Sequence, residues 1–419
     1  MMGTRRFPLA LLALLAALAY APMFGIPLLE DDYPNLWQSL QLGSPADAVA
    51  LLQNPVFRLR ATSFWVMFLL WQVGKVAPLV YHLASLLIHI INTWLLYCIC
   101  LSWPRMRAAA FWAAAFFAIQ EGHQEAVMWF SAINELLQFL FGMAALWCWL
   151  QQDRGWTVRV AGAGLFLLAI LSKESAIVFL PLFLLVEPRE QWRSTAVRLI
   201  PYAILAALAA ASVVASRTIS FRFSDGSFSL HAPFWITLPR NFLRMLWIWG
   251  LVAAGAILWA RDRSLRAAGL IALAWIAIGL APYSFLTYST QIASRQTYVA
   301  SAGLALLVGL AMAHLISRFP ARRGLVGAVA ALVLLHNLGY LWTKKRNQFL
   351  ERAAPTEQLI AFARRTPGPI WIRCFPRNSF IAQEAAHLGA GVAVSDLVWD
   401  EAEAARRNAK QFCYNERAR

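Results

Sequence analysis

The sequence predicts an all-α polytopic membrane protein of about eleven transmembrane helices, with a small α/β appendage at its C-terminus. Three observations predict it. Of 419 residues, 60% are hydrophobic and only 14% charged, with a mean hydropathy of +0.56, well on the apolar side of a soluble domain. Uncharged runs long enough to cross a hydrocarbon core of about 30 Å recur along the chain, each needing about 20 residues. Polar character returns only over residues 343–419.

The spans are expected at 7–28, 77–101, 108–121, 130–150, 157–172, 175–187, 195–215, 237–259, 265–283, 297–316 and 323–342, the third and sixth being short. The N-terminal run "MMGTRRFPLALLALLAALAYAPM" has the charge and length of a signal peptide, with Ala19-Tyr20-Ala21 as a cleavage motif. An uncleaved first helix is the better reading: Pro22 would follow the cut, and the apolar run continues to Leu29. The segment 57–74, "FRLRATSFWVMFLLWQVG", has two arginines and is short, so it reads as an interfacial helix along the outer surface.

The net charge of +16 does not describe a nucleic-acid surface, because the cations fall in short loops between spans. Arg5 and Arg6, Arg105 and Arg107, Arg154 and Arg159, Arg189, Arg193 and Arg198, Arg261, Arg263 and Arg266, and Arg318, Arg322 and Arg323 sort to one side. The positive-inside rule makes that side cytoplasmic. The expectation is thus an integral plasma (inner) membrane protein, with the N-terminus in the cytoplasm. The longer loops 29–76, 121–129, 216–236 and 284–296 and the tail then face outward. The tail mixes helical patterns ("APTEQLIAFARR", "SFIAQEAAHLG") with strand-like runs ("PIWIRCF", "GVAVSDLVW"). The expected division is a membrane domain over 1–342, with 29–76 as its first outer loop, and an extracytoplasmic domain over 343–419.

Five cysteines include no zinc-ligand spacing. Cys98 and Cys100 lie in an apolar span, whereas Cys374 and Cys413 lie in the tail and pair if it faces an oxidising compartment. No cofactor is expected and no compact metal motif is visible; Asp31, Glu125 and His123 would hold a divalent ion only if they converge.

A charge at the bilayer centre costs ~2.5–3.5 kcal/mol even on the insertion scale, so charges beside the outer membrane edge need a reason. "LLEDDYPNLW" places Glu30, Asp31 and Asp32 directly after the uncharged run of the first span. One carboxylate can cap the helix that Pro34 helps to start. Adjacent carboxylates can also divide base and positioning roles, which assigns the chemistry to Asp31 and Asp32 and leaves Glu30 a bystander. "EGHQEAVMWFSAINELL" adds His123 and Glu125, and Glu135 about three turns on. In "LAILSKESAIVFLPLFLL", Lys173 and Glu174 interrupt an apolar run. They either neutralise each other in a reentrant turn, or Lys173 is presented to an anion in a dry pocket. Arg295 at the start of a span either snorkels or supplies a second cation.

Carboxylates and cations together on the outer face suit transfer of a sugar from a lipid phosphate. The acceptor hydroxyl needs a base and the departing phosphate needs positive partners. Asp31 or Asp32 would be the base, Arg58, Lys173 and Arg295 would meet the phosphate, and grooves between spans would hold the lipid tail.

The order of "EDDY", "FRLR", "YHLASLLIHIIN", "GHQEAVMWFSAINELL", "LSKESAIVFLPLFLL" and "SRQTYVASAG" resembles the membrane-embedded GT-C glycosyltransferases. The likeness is closest to the transmembrane O-mannosyltransferase-like module found ahead of TPR repeats, of the protein O-mannosyltransferase and aminoarabinose transferase type. It extends over nearly all of 1–342. The family's acidic pair is matched by Asp31 and Asp32, which the resemblance makes the catalytic base. Its Tyr/Phe-Arg-Pro-Leu-like motif is matched at Phe57 and Arg58, with Leu59 in place of proline. Its Tyr-His-Leu helix is matched at Tyr81, His82, Leu83, His89 and Asn92. Its His-Pro-x-His-x-Glu-Ala-Val motif keeps His123, Glu125, Ala126 and Val127 but has Gln120 and Glu121 at the first two positions. Glu125 thus becomes the second catalytic carboxylate. Lys173 and Glu174 match a Lys-Glu motif, and Arg295, Tyr298 and Ser301 loosely match an Arg-Tyr-x-x-Tyr-x-x-Ser-like stretch.

The resemblance implies a polyprenyl-phosphate-sugar-dependent transferase that inverts the anomeric carbon. Arg58, His123, Lys173, Glu174, Arg295 and Tyr298 would bind carrier phosphate or sugar. The partners implied are a polyprenyl-phosphate-linked sugar donor, a protein, glycan or lipid acceptor, and membrane lipids. The TPR repeats are absent. The rival readings are transfer to a lipid-linked glycan or lipid acceptor, a lipid or sugar transporter, for which no paired inverted repeats are visible, and an envelope-assembly scaffold.

Overall fold

A chain in lipid must satisfy its backbone polar groups within each segment, so apolar runs of this length have to become helices. The computed structural model of the protein describes residues 3–151, 154–187, 192–216, 228–287 and 289–416. Arg189, and positions 217–227 of the expected outer loop 216–236, lie outside them. Among the described residues, eight helical segments are long and apolar enough to cross a membrane: Phe7–Gly25, Pro78–Ser102, Phe130–Trp149, Arg193–Ala215, Phe234–Trp259, Arg263–Phe285, Ser294–Arg318 and Pro320–Arg365. Three shorter apolar segments, Arg107–Ile119, Trp156–Ser172 and Glu174–Val186, take the places of the remaining expected spans.

The membrane bundle is built from α1 (Gly3–Tyr20), α5 (Pro78–Ser102), α6 (Ala110–Ile119), α8 (Ile133–Trp149), α9 (Trp156–Ser172), α10 (Phe179–Val186), α11 (Trp192–Ala215), α12 (Phe234–Trp259), α13 (Arg263–Leu280), α14 (Tyr298–Arg318) and α15 (Arg323–Tyr340). The most enclosed of these is α14, buried continuously from Tyr298 to Met312. Its small residues allow that position. A Cβ on Gly303 would meet the Ala272 carbonyl oxygen of α13 at 2.6 Å, and one on Gly309 would meet the Ala113 nitrogen of α6 at 2.6 Å. Small residues let membrane helices approach until dispersion forces dominate.

The segment expected as the first outer loop, 29–76, folds into α2 (Asp32–Ser39), α3 (Pro45–Gln53) and α4 (Ala61–Gly74). Ser44 caps α3 by accepting from the Asp47 amide at 3.4 Å, with Pro45 at the first helical position. At 14 residues, α4 is shorter than the about 20 a helix needs to cross the hydrocarbon core unaided.

The expected domain limit at 342/343 falls inside an unbroken helical stretch. After α15 a π-helical turn, Leu341–Lys345, leads directly into α16 (Arg346–Arg365). The remaining tail comprises β1 (Ile370–Cys374), α17 (Ser379–Ala390), β2 (Leu397–Val398), α18 (Glu401–Arg406) and β3 (Lys410–Cys413). It forms a parallel three-stranded sheet in the order β2-β1-β3, with Ile370 opposite Leu397 and Lys410. Cys374 and Cys413 are joined by a disulfide across β1 and β3. A small core of Leu359, Ile370, Ile372, Ala382, Ala386 and Phe412 holds sheet and helices together.

Candidate active site

Between the first outer loop, α8, the α9–α10 break and the start of α14 lies a cavity of about 1140 Å³. Asp31, Arg60, Glu135, Lys173, Glu174 and Arg295 stand on its wall. Its apolar flank is lined by Ala209, Ala210, Val213 and Val214 of α11, together with Leu180 and Pro181 of α10.

Asp31 and Asp32 part company. Asp31 precedes α2 yet its carboxylate makes no capping hydrogen bond; it faces the cavity instead. Asp32 is 2% exposed. Its carboxylate accepts from the Leu29 amide at 2.7 Å and from the amide and hydroxyl of Ser131 at 2.7 and 2.5 Å. The cap expected of one carboxylate is therefore replaced by a clamp, which ties the first loop to the turn ahead of α8. Burial pushes the Asp32 carboxyl up to about 7 against the pull of these hydrogen bonds. Burial, helped by neighbouring Glu30, also raises Asp31 above the ordinary carboxylate range, while Arg295, Arg352 and Arg377 act in the opposite direction.

Of the two readings of Lys173 and Glu174, the mutual pair does not form. Lys173 is extended, with φ −165° and ψ 137°, where α9 ends, and successive side chains of an extended chain diverge. Lys173 pairs with Glu135 and sits 4.8 Å from the Tyr283 ring. Tyr283 donates to the other oxygen of Glu135 at 3.2 Å. Glu174 pairs with Arg60, which reaches it through two nitrogens. Glu135 is only the third residue of α8, and a carboxylate there also gains from the positive end of the helix dipole.

Arg58, expected at the phosphate, points elsewhere and donates to the Ser216 hydroxyl at 3.2 Å. Arg60, two residues on, is the cation of that motif on the cavity wall. The signal lay in "FRLR" itself, which offers two arginines, and the kink at Leu59 (φ −90°, ψ 25°) accompanies their divergence.

His123 and Tyr298 belong to a buried polar knot and not to the cavity wall. His123 Nε2 is 2.6 Å from the Ser301 hydroxyl. His89 has Nε2 3.1 Å from the Ala118 carbonyl, so that nitrogen donates, and Nδ1 accepts from the Tyr298 hydroxyl at 2.7 Å. Asn92 donates to the same hydroxyl at 3.3 Å. Both residues are fully buried, because the helices meeting there need their polar groups satisfied internally. With His123 turned to Ser301, the trio of Asp31, Glu125 and His123 does not converge. Among the described residues, no group of three or more His, Cys, Asp or Glu side chains is placed to hold a metal ion.

Glu125 is held off the cavity wall by two arginines, Arg295 at 3.5 Å and Arg352 at 3.9 Å. It also accepts from the Arg295 amide at 3.2 Å. Burial opposes its ionisation, but Arg295, that amide and Arg352 together lower its pKa. Both guanidiniums lie near the Trp129 ring, at 4.9 and 4.4 Å from its centroid. Glu30, expected as a bystander, accepts from Arg352 at 2.7 Å and forms an ion pair with Arg377 at 2.7 Å. The sequence reading missed these tail arginines because nothing local in "RNQFLERAAP" or "CFPRNSF" shows which surface they meet.

This bundle, with the loop ahead of α5 folded over a charged cavity and a small α/β domain packed against it, has a GT-C-like fold. Solved structures bear this out. The chain is similar to ArnT from Cupriavidus metallidurans in the apo state, with a TM-score of 0.60 and 13% identity over 98% of this chain and 89% of that one. The same protein bound to undecaprenyl phosphate matches at a TM-score of 0.56 and 13% identity, over 94% and 89% of the two chains. The archaeal oligosaccharyltransferase AglB from Archaeoglobus fulgidus, in complex with an inhibitory peptide and a dolichol-phosphate, matches at 0.54 and 12%, over 93% and 64%. No protein-family model and no curated protein matches by sequence.

Proposed function

We propose that this protein is a polyprenyl-phosphate-sugar-dependent glycosyltransferase of the outer membrane face, with Asp31 as the general base. The observation that carries the reading is the cavity itself: Asp31 shares its wall with Arg60, Lys173 and Arg295, and an apolar flank adjoins them. The GT-C fold, and the undecaprenyl phosphate and dolichol-phosphate named for its structural neighbours, support a lipid phosphate as the carrier.

In the proposed reaction the Asp31 carboxylate takes the proton of the acceptor hydroxyl. That oxygen attacks the anomeric carbon as the carbon–oxygen bond to phosphate breaks. The bonding pair leaves with the phosphate, and the anomeric centre inverts. Arg60, Lys173 and Arg295 offset the charge that develops on the leaving group, a role a dry site strengthens. Asp32 and Glu125 position, the first through the loop and the second through Arg295. The sugar is a hexose, with mannose the first to test.

The protein is read as lying in the plasma membrane with its N-terminus in the cytoplasm and its C-terminal domain outside. An acceptor that is itself a lipid or lipid-linked glycan is the second reading, favoured by Phe64, Met67 and Phe380 on the wall beside Asp31.

Purified protein in lipid nanodiscs, supplied with radiolabelled undecaprenyl-phosphate hexoses and candidate acceptors, tests the proposal. Transfer by the parent and its loss in Asp31→Asn are expected. A well-folded Asp31→Asn protein that transfers as fast as the parent overturns the assignment of the base.

A further inference from the structure

Asp31 sits between two neighbours that are each held from a different part of the molecule. Asp32 is clamped by Ser131 within the membrane domain. Glu30 is clasped from the C-terminal side: Arg352 of α16 and Arg377, between β1 and α17, each place a guanidinium nitrogen 2.7 Å from its carboxylate. Arg352 adds a second contact to Glu30 at 3.3 Å. The backbone of Glu30 has φ +35°, a conformation an L-residue holds only where its surroundings impose it. The Glu30 side chain is 12% exposed and Arg377 40%, so the clasp is shielded from water on its carboxylate side.

The same appendage packs on the helix that follows. Ile360 of α16 and Ala385 of α17 share an apolar cluster with Tyr33 and Leu36 of α2. Trp37 meets the His387 ring edge-on at 4.8 Å, and Tyr33 donates to Glu357 at 3.4 Å. Phe380, in the first turn of α17, reaches the cavity wall. Arg377 leaves β1 three positions after Cys374, so the disulfide to β3 fixes the strand end from which the clasp extends.

We propose that the C-terminal α/β appendage is a positioning element of the active site, in which Arg377 and Arg352 hold Glu30 so that the adjacent Asp31 presents its carboxylate to the cavity. The inference rests on the reading of Asp31 as the base. Arg377 and Arg352 act through Glu30 and are positioning residues. Two anchors that share one short segment restrict Asp31 far more than either alone, and a displacement of about 1 Å at a reacting group can cost about a hundredfold in rate.

The test uses the full-length protein in nanodiscs and two readouts, one of them independent of activity. Hydrogen–deuterium exchange over residues 27–37 is expected to accelerate at least about fivefold in Arg377→Ala and in Glu30→Gln, with exchange over 78–102 unchanged. Arg377→Lys restores protection. With undecaprenyl-phosphate hexose donors, Arg377→Ala is expected to lower kcat about ten- to a hundredfold while KM for the donor stays within about threefold. Unchanged exchange in Arg377→Ala and Glu30→Gln overturns the clasp. Faster exchange with an unchanged kcat overturns its positioning role. A parent protein inactive with every donor defeats the glycosyltransferase reading instead, and the exchange data then decide the clasp alone.

Discussion

At the scale of the residue, the three adjacent carboxylates of the first outer loop acquire three different environments. Glu30 answers arginines from the tail, Asp31 the cavity, and Asp32 a serine clamp. Replacing Asp31 by Asn should lower transfer by about 10²–10⁴-fold, the usual contribution of a general base, without a change in melting temperature. Because burial and Glu30 raise the Asp31 pKa, the acidic limb of kcat/KM should have its midpoint above 3.8. Arg295→Gln, which removes the largest opposing charge, should move that limb further up. Asp32 makes a separate prediction about stability. Its folded-state pKa of about 7 exceeds the 3.8 of a free aspartate, so the native state binds a proton that the unfolded chain does not between these limits. The stability this group contributes is complete below about 3.8 and is lost as pH rises through about 7. Melting curves of Asp32→Asn, compared with the parent from pH 4 to 8, should lose that component of the slope. An identical pH dependence in the two proteins would contradict it.

At the scale of the element, the break between α9 and the turn at Glu174 sends its two charges to different partners. The sequence made both residues conspicuous, since charges seldom interrupt such an apolar run. It left their partners open, because Glu135 and Arg60 are supplied by other segments. Glu135 is 1% and Lys173 6% exposed, and a buried ion left without its counter-ion costs about 3–5 kcal/mol. Lys173→Met should therefore lower the melting temperature sharply, and Lys173→Met combined with Glu135→Leu should recover much of the loss. In the tail, the strand and helix patterns were legible from alternation and turn residues. The pairing of Cys374 with Cys413 depended on which way two distant strand ends face. Its bridge closes a separation of 39 residues, for which the chain-entropy estimate is about 4 kcal/mol. Cys374→Ser should accordingly make the tail more susceptible to limited proteolysis while leaving the membrane helices protected.

At the scale of the whole molecule, the spans were the most legible feature, because hydropathy acts over about 20 residues at a time and needs no tertiary information. The cavity was partly legible: Asp31, Lys173, Glu174 and Arg295 were singled out and line it. His123 and Tyr298 were drawn into the site by the family motifs they match, whereas their side chains meet Ser301 and His89 inside the packed helices. The proposed topology predicts that a membrane-impermeant maleimide added outside intact cells labels Gly43→Cys, and that Asp262→Cys reacts only after permeabilisation. Labelling with the opposite sidedness would invert the arrangement.

The helical stretch Pro320–Arg365 is continuous from the last span to the foot of the appendage. A module carried on such a rod is joined to the membrane by helix throughout, interrupted only by the π-turn Leu341–Lys345, so its displacements couple to tilt of the membrane helix below it. Force applied to the tail, by a bound partner or by a thinner bilayer, would travel along this shaft to Arg352 and from there to the loop that carries Asp31.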